Sequence, residues 1–115
     1  MSPSTIEYLH HILDELIYLL GQTQGLQKDK FMDNPTLKRA FVRSLEIVGE
    51  ATKQLPAEFK QKYRDVEWKE IAGMRDKLIH HYFGVDYDVV WDAVMDDVPQ
   101  LRQMIEQMIA DEDNS

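Results

Sequence analysis

The sequence predicts an all-α protein, an antiparallel up-and-down bundle of four main helices plus a short one. Three observations carry that expectation. Apolar residues recur at steps of three and four along most of the 115 residues, the period of an amphipathic helix. No stretch alternates apolar and polar residues for long enough to make a half-buried strand. Five Gly and four Pro fall mostly between the periodic segments, as punctuation.

Taken in order, Ser4 followed by Glu7 has capping-box spacing, and Ile6, Leu9, Leu13, Leu16 and Leu20 run toward Gly21 and Gly25. A first helix over residues 5–24 follows. Asn34 before Pro35 joins a good N-cap to the residue best tolerated at the first helical position. Leu37, Phe41, Leu45, Val48 and Leu55 extend that start into a second helix over 35–54, stopped by Pro56. Residues 56–63 predict a short turn of helix. Asp65 is the expected cap of a third helix, with Trp68, Ile71, Ala72, Leu78 and Ile79 on its apolar side and Gly84 at its end. The clearest period comes last: Tyr87, Trp91, Val94, Val98, Leu101, Ile105 and Met108 alternate steps of four and three. They predict a helix over 87–110, which Pro99 kinks or restarts because it lacks the N–H. Residues 111–115 are expected to fray. Short connections favour antiparallel neighbours, so the expected organisation is a single domain over 1–115.

Composition narrows the function classes. Apolar residues are 43% and charged residues 30%, enough to bury a core beneath a solvated surface. The absence of cysteine removes disulfide frameworks, thiolate zinc, iron–sulfur clusters and thiol nucleophiles. No apolar run is long enough to span a bilayer, and the first residues do not resemble a signal peptide; a soluble cytoplasmic protein with no membrane partner is expected. Thirteen Lys and Arg against 21 Asp and Glu give a net charge of -8, which taken whole argues against a nonspecific nucleic-acid binder. The distribution tells more. Residues 1–85 hold 12 basic and 12 acidic side chains, whereas 86–115 hold one basic residue, Arg102, and nine acidic ones. Between Lys53 and Lys77 stand seven basic residues against five acidic, so RNA would approach there. The acidic last helix is a solvated face or a docking surface for a basic partner.

Few residues nominate themselves for chemistry. His10 and His11 precede Asp14 and Glu15 by four, the spacing of solvated helix pairs. Neither they nor His80 and His81 have zincin spacing, so no metal site is expected. There is no phosphate-binding glycine loop and no nucleophile elbow. The six methionines suit gap-filling in the core. What remains is the titratable run from Arg75 to Tyr82. On an intact helix Asp76 and His80, four apart, share a face, so the carboxylate could orient the imidazole; Arg75 and Tyr82, seven apart, share another. Arg75 and His80, five apart, diverge by about 140° and meet only if the helix end frays or a second copy of the segment contributes. A guanidinium for the phosphate and an imidazole for the proton make the minimum kit for metal-free cleavage through a ribose 2'-hydroxyl. The same residues also suit a plain helix terminus, where cations meet the last carbonyls.

In these residues the sequence resembles the HEPN-domain proteins of the HepT type, whose motif is Arg-x4-His-x-Tyr with a polar residue after the Arg. Here it reads Arg75, Asp76, His80 and Tyr82. The likeness extends to the stretch from Arg43 to Ala51, the approach from Trp68 to Arg75, and Tyr82 to Asp86 with Val90 and Trp91, about residues 8–109 in all. His81 departs from the small residue usual there. The resemblance implies a HEPN helical bundle and metal-independent endoribonuclease activity without a bound cofactor. It gives Arg75 the scissile phosphate, His80 the general base or acid role, and Asp76 a supporting one. It implies a homodimer whose two motifs face one cleft. It also implies a cognate nucleotidyltransferase antitoxin that uses ATP to place AMP on Tyr82, putting negative charge in the RNA cleft. A catalytically silent bundle that serves only as that partner's acceptor is the alternative.

Overall fold

Ser4 opens the first helix as expected, its hydroxyl accepting the Glu7 N–H at 3.2 Å, and the helix, α1, runs Thr5–Gln22. This computed structural model describes residues 4–80 and 84–114, with only the backbone of His80, and the described residues are mainly helical. After α1 come α2 (Lys28–Met32), α3 (Pro35–Gln54), α4 (Ala57–Lys62), α5 (Trp68–Ala72) and α6 (Met74–Leu78). A two-residue pair, β1 (Ile79–His80) with β2 (Gly84–Val85), then leads to α7 (Tyr87–Asp92), a π-helical turn (Ala93–Asp97) and α8 (Val98–Asp113).

The core forms where α1 lies between α3 and α8. Leu9, Ile12, Leu16 and Leu19 of α1 are buried, each worth about 1.5–3 kcal/mol over an exposed side chain. They meet Phe41, Leu45 and Val48 from α3 and Val98, Leu101, Ile105 and Met108 from α8. Asn34 caps α3 as predicted, its Oδ1 accepting the Leu37 N–H at 3.0 Å. Among the described residues no helix is long and apolar enough to cross a membrane.

Five features differ from the sequence expectation, each for a physical reason. The first helix stops two residues early, because Thr23 turns its hydroxyl back onto the Leu20 carbonyl at 2.9 Å and Gly25 takes a left-handed φ of 70°. Between that turn and Asn34 lies α2, which periodicity did not reveal. It exists for one side chain, Phe31, which is fully buried between Phe41 and Trp91 at centroid distances of 5.0 and 5.3 Å. A salt bridge from Lys28 to Asp88 at 2.9 Å ties it to α7.

The third helix is not one helix to Gly84. It starts at Trp68 without a cap from Asp65, breaks at Gly73, resumes as α6 and ends at Leu78, where Ile79 turns extended at φ -111°, ψ 117°. The run from Ile79 to Phe83 consists of β-branched, aromatic and His residues, all mediocre helix formers. The Asp86 N–H donates to the Leu78 carbonyl at 2.8 Å, satisfying the end of α6. Gly84, with φ 75°, belongs to the returning strand. The start of α5 is pinned instead by the Trp68 indole, which donates to the Lys60 and Tyr63 carbonyls at 3.1 and 3.0 Å.

The last helix restarts at Val98 with Pro99 in its first turn, as expected, but through a π turn over Ala93–Asp97 that the sequence did not reveal. Pro99 cannot donate to Met95, and the chain absorbs the missing bond in the wider π turn, where the Val98 N–H reaches the Ala93 carbonyl. Finally, residues 111–113 are helical rather than frayed. Lys62 pairs with Glu112 at 2.9 Å, and the Tyr63 hydroxyl lies 3.3 Å from both Asp111 and Glu112. Partial burial and those two carboxylates push the Tyr63 phenol up to about 12. The protonated phenol is therefore favoured in the fold; its contribution is present below the ordinary value near 10 and lost as pH rises toward 12. A spectrophotometric titration should show a phenol ionising near 12, absent from Tyr63→Phe.

Candidate active site

Three consecutive exposed residues, Arg75, Asp76 and Lys77, sit between Met74 and Leu78, which anchor α6 in the core. The anchors set where the charges point. Arg75 turns toward α3, its Nε donating to Glu46 Oε2 at 3.2 Å. Lys77 faces the other way, lining a groove of about 460 Å³ between α5–α6 and α8 with Asp65, Glu67, Glu70, Asp97 and Met104. In that groove the Glu67 carboxyl is held above its ordinary value, first by the hydrogen bond its protonated form donates to the Glu70 carboxylate and by that group's charge, then by slight desolvation and Asp97. The cation-rich segment expected between Lys53 and Lys77 is thus divided. Arg75 lies on the α3 side, while Lys77 shares its groove with Asp65, Glu67, Glu70 and Asp97.

Gly49 brings α5 this close to α3. A Cβ at that position would stand 3.2 Å from the Ala72 carbonyl oxygen and 3.3 Å from that of Ile71, both backbone atoms that cannot rotate away. Gly49→Ala gains about 1 kcal/mol of helix propensity but faces about 1–3 kcal/mol of overpacking. A net loss of about 1 kcal/mol in urea unfolding is expected, and Gly49→Val should lose about twice that.

The structure bears unevenly on the residues singled out from sequence. Asp76 is exposed on α6, but that helix ends at Leu78. The one-face relation of Asp76 to His80 therefore does not hold, and neither does the 140° divergence of Arg75 from His80, since both assumed helix through position 80. The helix end opens within one chain, the first of the two conditions under which Arg75 and His80 could act together. The His80 side chain and all of Tyr82 and His81 lie outside the described residues. His10 and His11 are exposed on α1. Among the described residues no group of three or more His, Asp or Glu is arranged to hold a metal ion. Glu46 was not found from sequence. It lies 29 residues before Arg75, and only its place within the stretch from Arg43 to Ala51 drew attention to its neighbourhood.

Comparison with known proteins gives a consistent picture. The family profile described as "Ribonuclease HepT-like" matches residues 7–108. A protein of Caldanaerobacter subterraneus subsp. tengcongensis named "Putative RNase" is 50% identical over 105 residues, covering 91% of this chain and 94% of that one. A Methanocaldococcus jannaschii protein with the same style of name is 42% identical over 104 residues, covering 90% and 86%. The "Probable ribonuclease HepT" of Thermococcus cleftensis is 38% identical over 108 residues, covering 94% and 98%. No solved structure matches the chain.

Proposed function

Because the chain belongs to the HepT-like ribonuclease family, we propose that it is a metal-independent endoribonuclease, the toxin of a toxin–antitoxin pair. The observation that carries this reading is the family match over residues 7–108, which spans Arg75, His80 and Tyr82. The exposure of Arg75 on a short helix that ends three residues later agrees with it.

In this reading Arg75 forks onto the scissile phosphate and offsets the charge that grows on it in the transition state. His80 removes the proton from the 2'-hydroxyl, the 2'-oxygen bonds to phosphorus, and the bond to the 5'-oxygen breaks. The leaving oxygen takes a proton from an acid, either the same imidazole or that of the partner subunit in a homodimer. Asp76 supports the pair through its charge. The products are a 2',3'-cyclic phosphate end and a 5'-hydroxyl end. A cognate nucleotidyltransferase antitoxin would silence the site by transferring AMP from ATP to the Tyr82 oxygen, releasing pyrophosphate.

The test is cleavage by purified protein in EDTA. Cyclic-phosphate ends, lost in His80→Ala, are expected. Full activity in both Arg75→Ala and His80→Ala overturns the mechanism, and no cleavage by the wild type leaves a silent bundle that serves as AMP acceptor. Intact mass after incubation with the partner and ATP should gain AMP in the wild type and none in Tyr82→Phe.

A further inference from the structure

We propose that Glu46 is the positioning residue for Arg75, holding its guanidinium so that one chosen edge meets the RNA phosphate. The inference rests on the RNA-cleavage reading above. It starts from the contact itself: Glu46 Oε2 accepts from Arg75 Nε at 3.2 Å, and that is the one ion pair of Arg75 among the described residues.

The two partners are unequal. The Glu46 side chain is 20% exposed and that of Arg75 57%, so the carboxylate is the sheltered member and the guanidinium the presented one. Their supports differ in the same sense. Glu46 stands on α3, a capped helix of 20 residues embedded in the core through Leu45 and Val48. Arg75 stands on α6, five residues long with no side-chain cap. A long flexible side chain on a short helix needs an external guide to keep one orientation, and the rigid neighbour supplies it.

The atom contacted decides what the guide does. A guanidinium can grip an anion through the edge made by Nε and one Nη, or through the edge made by its two terminal nitrogens. Glu46 occupies Nε, so the terminal edge is the one offered to phosphate. Without Glu46 both edges are available, and the phosphate can be held in orientations that do not line the 2'-oxygen up with the leaving oxygen. Gly49, one turn further along α3, keeps the backbone of α5 near enough for this reach. An exposed ion pair of this kind adds little to stability, so its effect belongs in the rate.

The experiment is steady-state cleavage of a short labelled RNA that the wild type cuts. Glu46→Ala should lower kcat about 10- to 100-fold while KM changes less than about 2-fold, as for loss of alignment rather than of binding. Glu46→Gln, whose amide oxygen can still accept from Nε, should stay within about 3-fold of wild type. A thermal melt of each variant, expected within about 2 °C of wild type, separates misfolding from misalignment. In an Arg75→Ala background Glu46→Ala should cost nothing more, since the two act as one unit. Wild-type kcat in Glu46→Ala, or the same loss whether or not Arg75 is present, overturns the proposal. Arg75→Ala cutting as fast as wild type overturns the cleavage reading instead, whatever Glu46 does.

Discussion

Arg75→Ala is expected to cleave RNA at least about 100-fold more slowly than the wild type, the order of loss seen when a preorganised charge-stabilising donor is removed. The fold should survive. Arg75 is largely exposed and makes its one described ion pair with Glu46, whose carboxylate can be solvated once alone, so the melting temperature should move by no more than about 2 °C. Arg75→Lys should recover little, because an ammonium keeps the charge and lacks the planar fork. Arg102→Ala is the matched control: it removes a cation on α8 that pairs with Glu106 at 2.6 Å, on the acidic side of the molecule, and should cut like wild type. Single-turnover cleavage of one labelled RNA by all four proteins decides the matter. Equal rates for Arg75→Ala and Arg102→Ala would mean that the exposed guanidinium does no chemistry.

Phe31→Ala should produce the largest loss of stability, about 3–5 kcal/mol. The side chain is fully buried and lies between Phe41 and Trp91, so its removal leaves a cavity bounded by α3 and α7, two elements already fixed by other contacts. Collapse onto the void is correspondingly limited. Against a total of about 5–15 kcal/mol for an ordinary domain, such a loss is a third or more of the whole. Urea unfolding should show a lower midpoint with an unchanged slope, and Phe31→Leu should lose roughly a third as much. A midpoint shift worth under about 1 kcal/mol would show that α2 is only draped on the bundle.

Which elements could be read from sequence depends on where their determinants lie. The starts of α1 and α3 were legible because Ser4 and Asn34 act on residues three positions away, and their stripes are long enough to show a period. Helix α2 was not, since five residues with Phe31 and Met32 as the apolar members show no period. The overextended third helix has a different cause. Leu78 and Ile79 continue an acceptable helical pattern, and what ends the helix is an Asp86 N–H eight residues away and the pairing of Ile79 with Val85. The candidate site divides in the same way. Arg75 announced itself by its neighbours in sequence, whereas Glu46 reaches it across 29 residues, a separation closed by the packing of α5 and α6 on α3.

The position of α1 between α3 and α8 has a consequence in time. One flank of α1 can be covered as soon as α3 has been made, but the other waits for α8, which ends at Asp113. At about 5–20 residues per second, the ribosome takes on the order of 5–20 s to supply it. For that interval the side of α1 that α8 will cover has no native partner, and chaperones have their opening then. The nascent chain therefore acquires its complete core only once α8 has been made, after the whole segment from Arg43 to Tyr82.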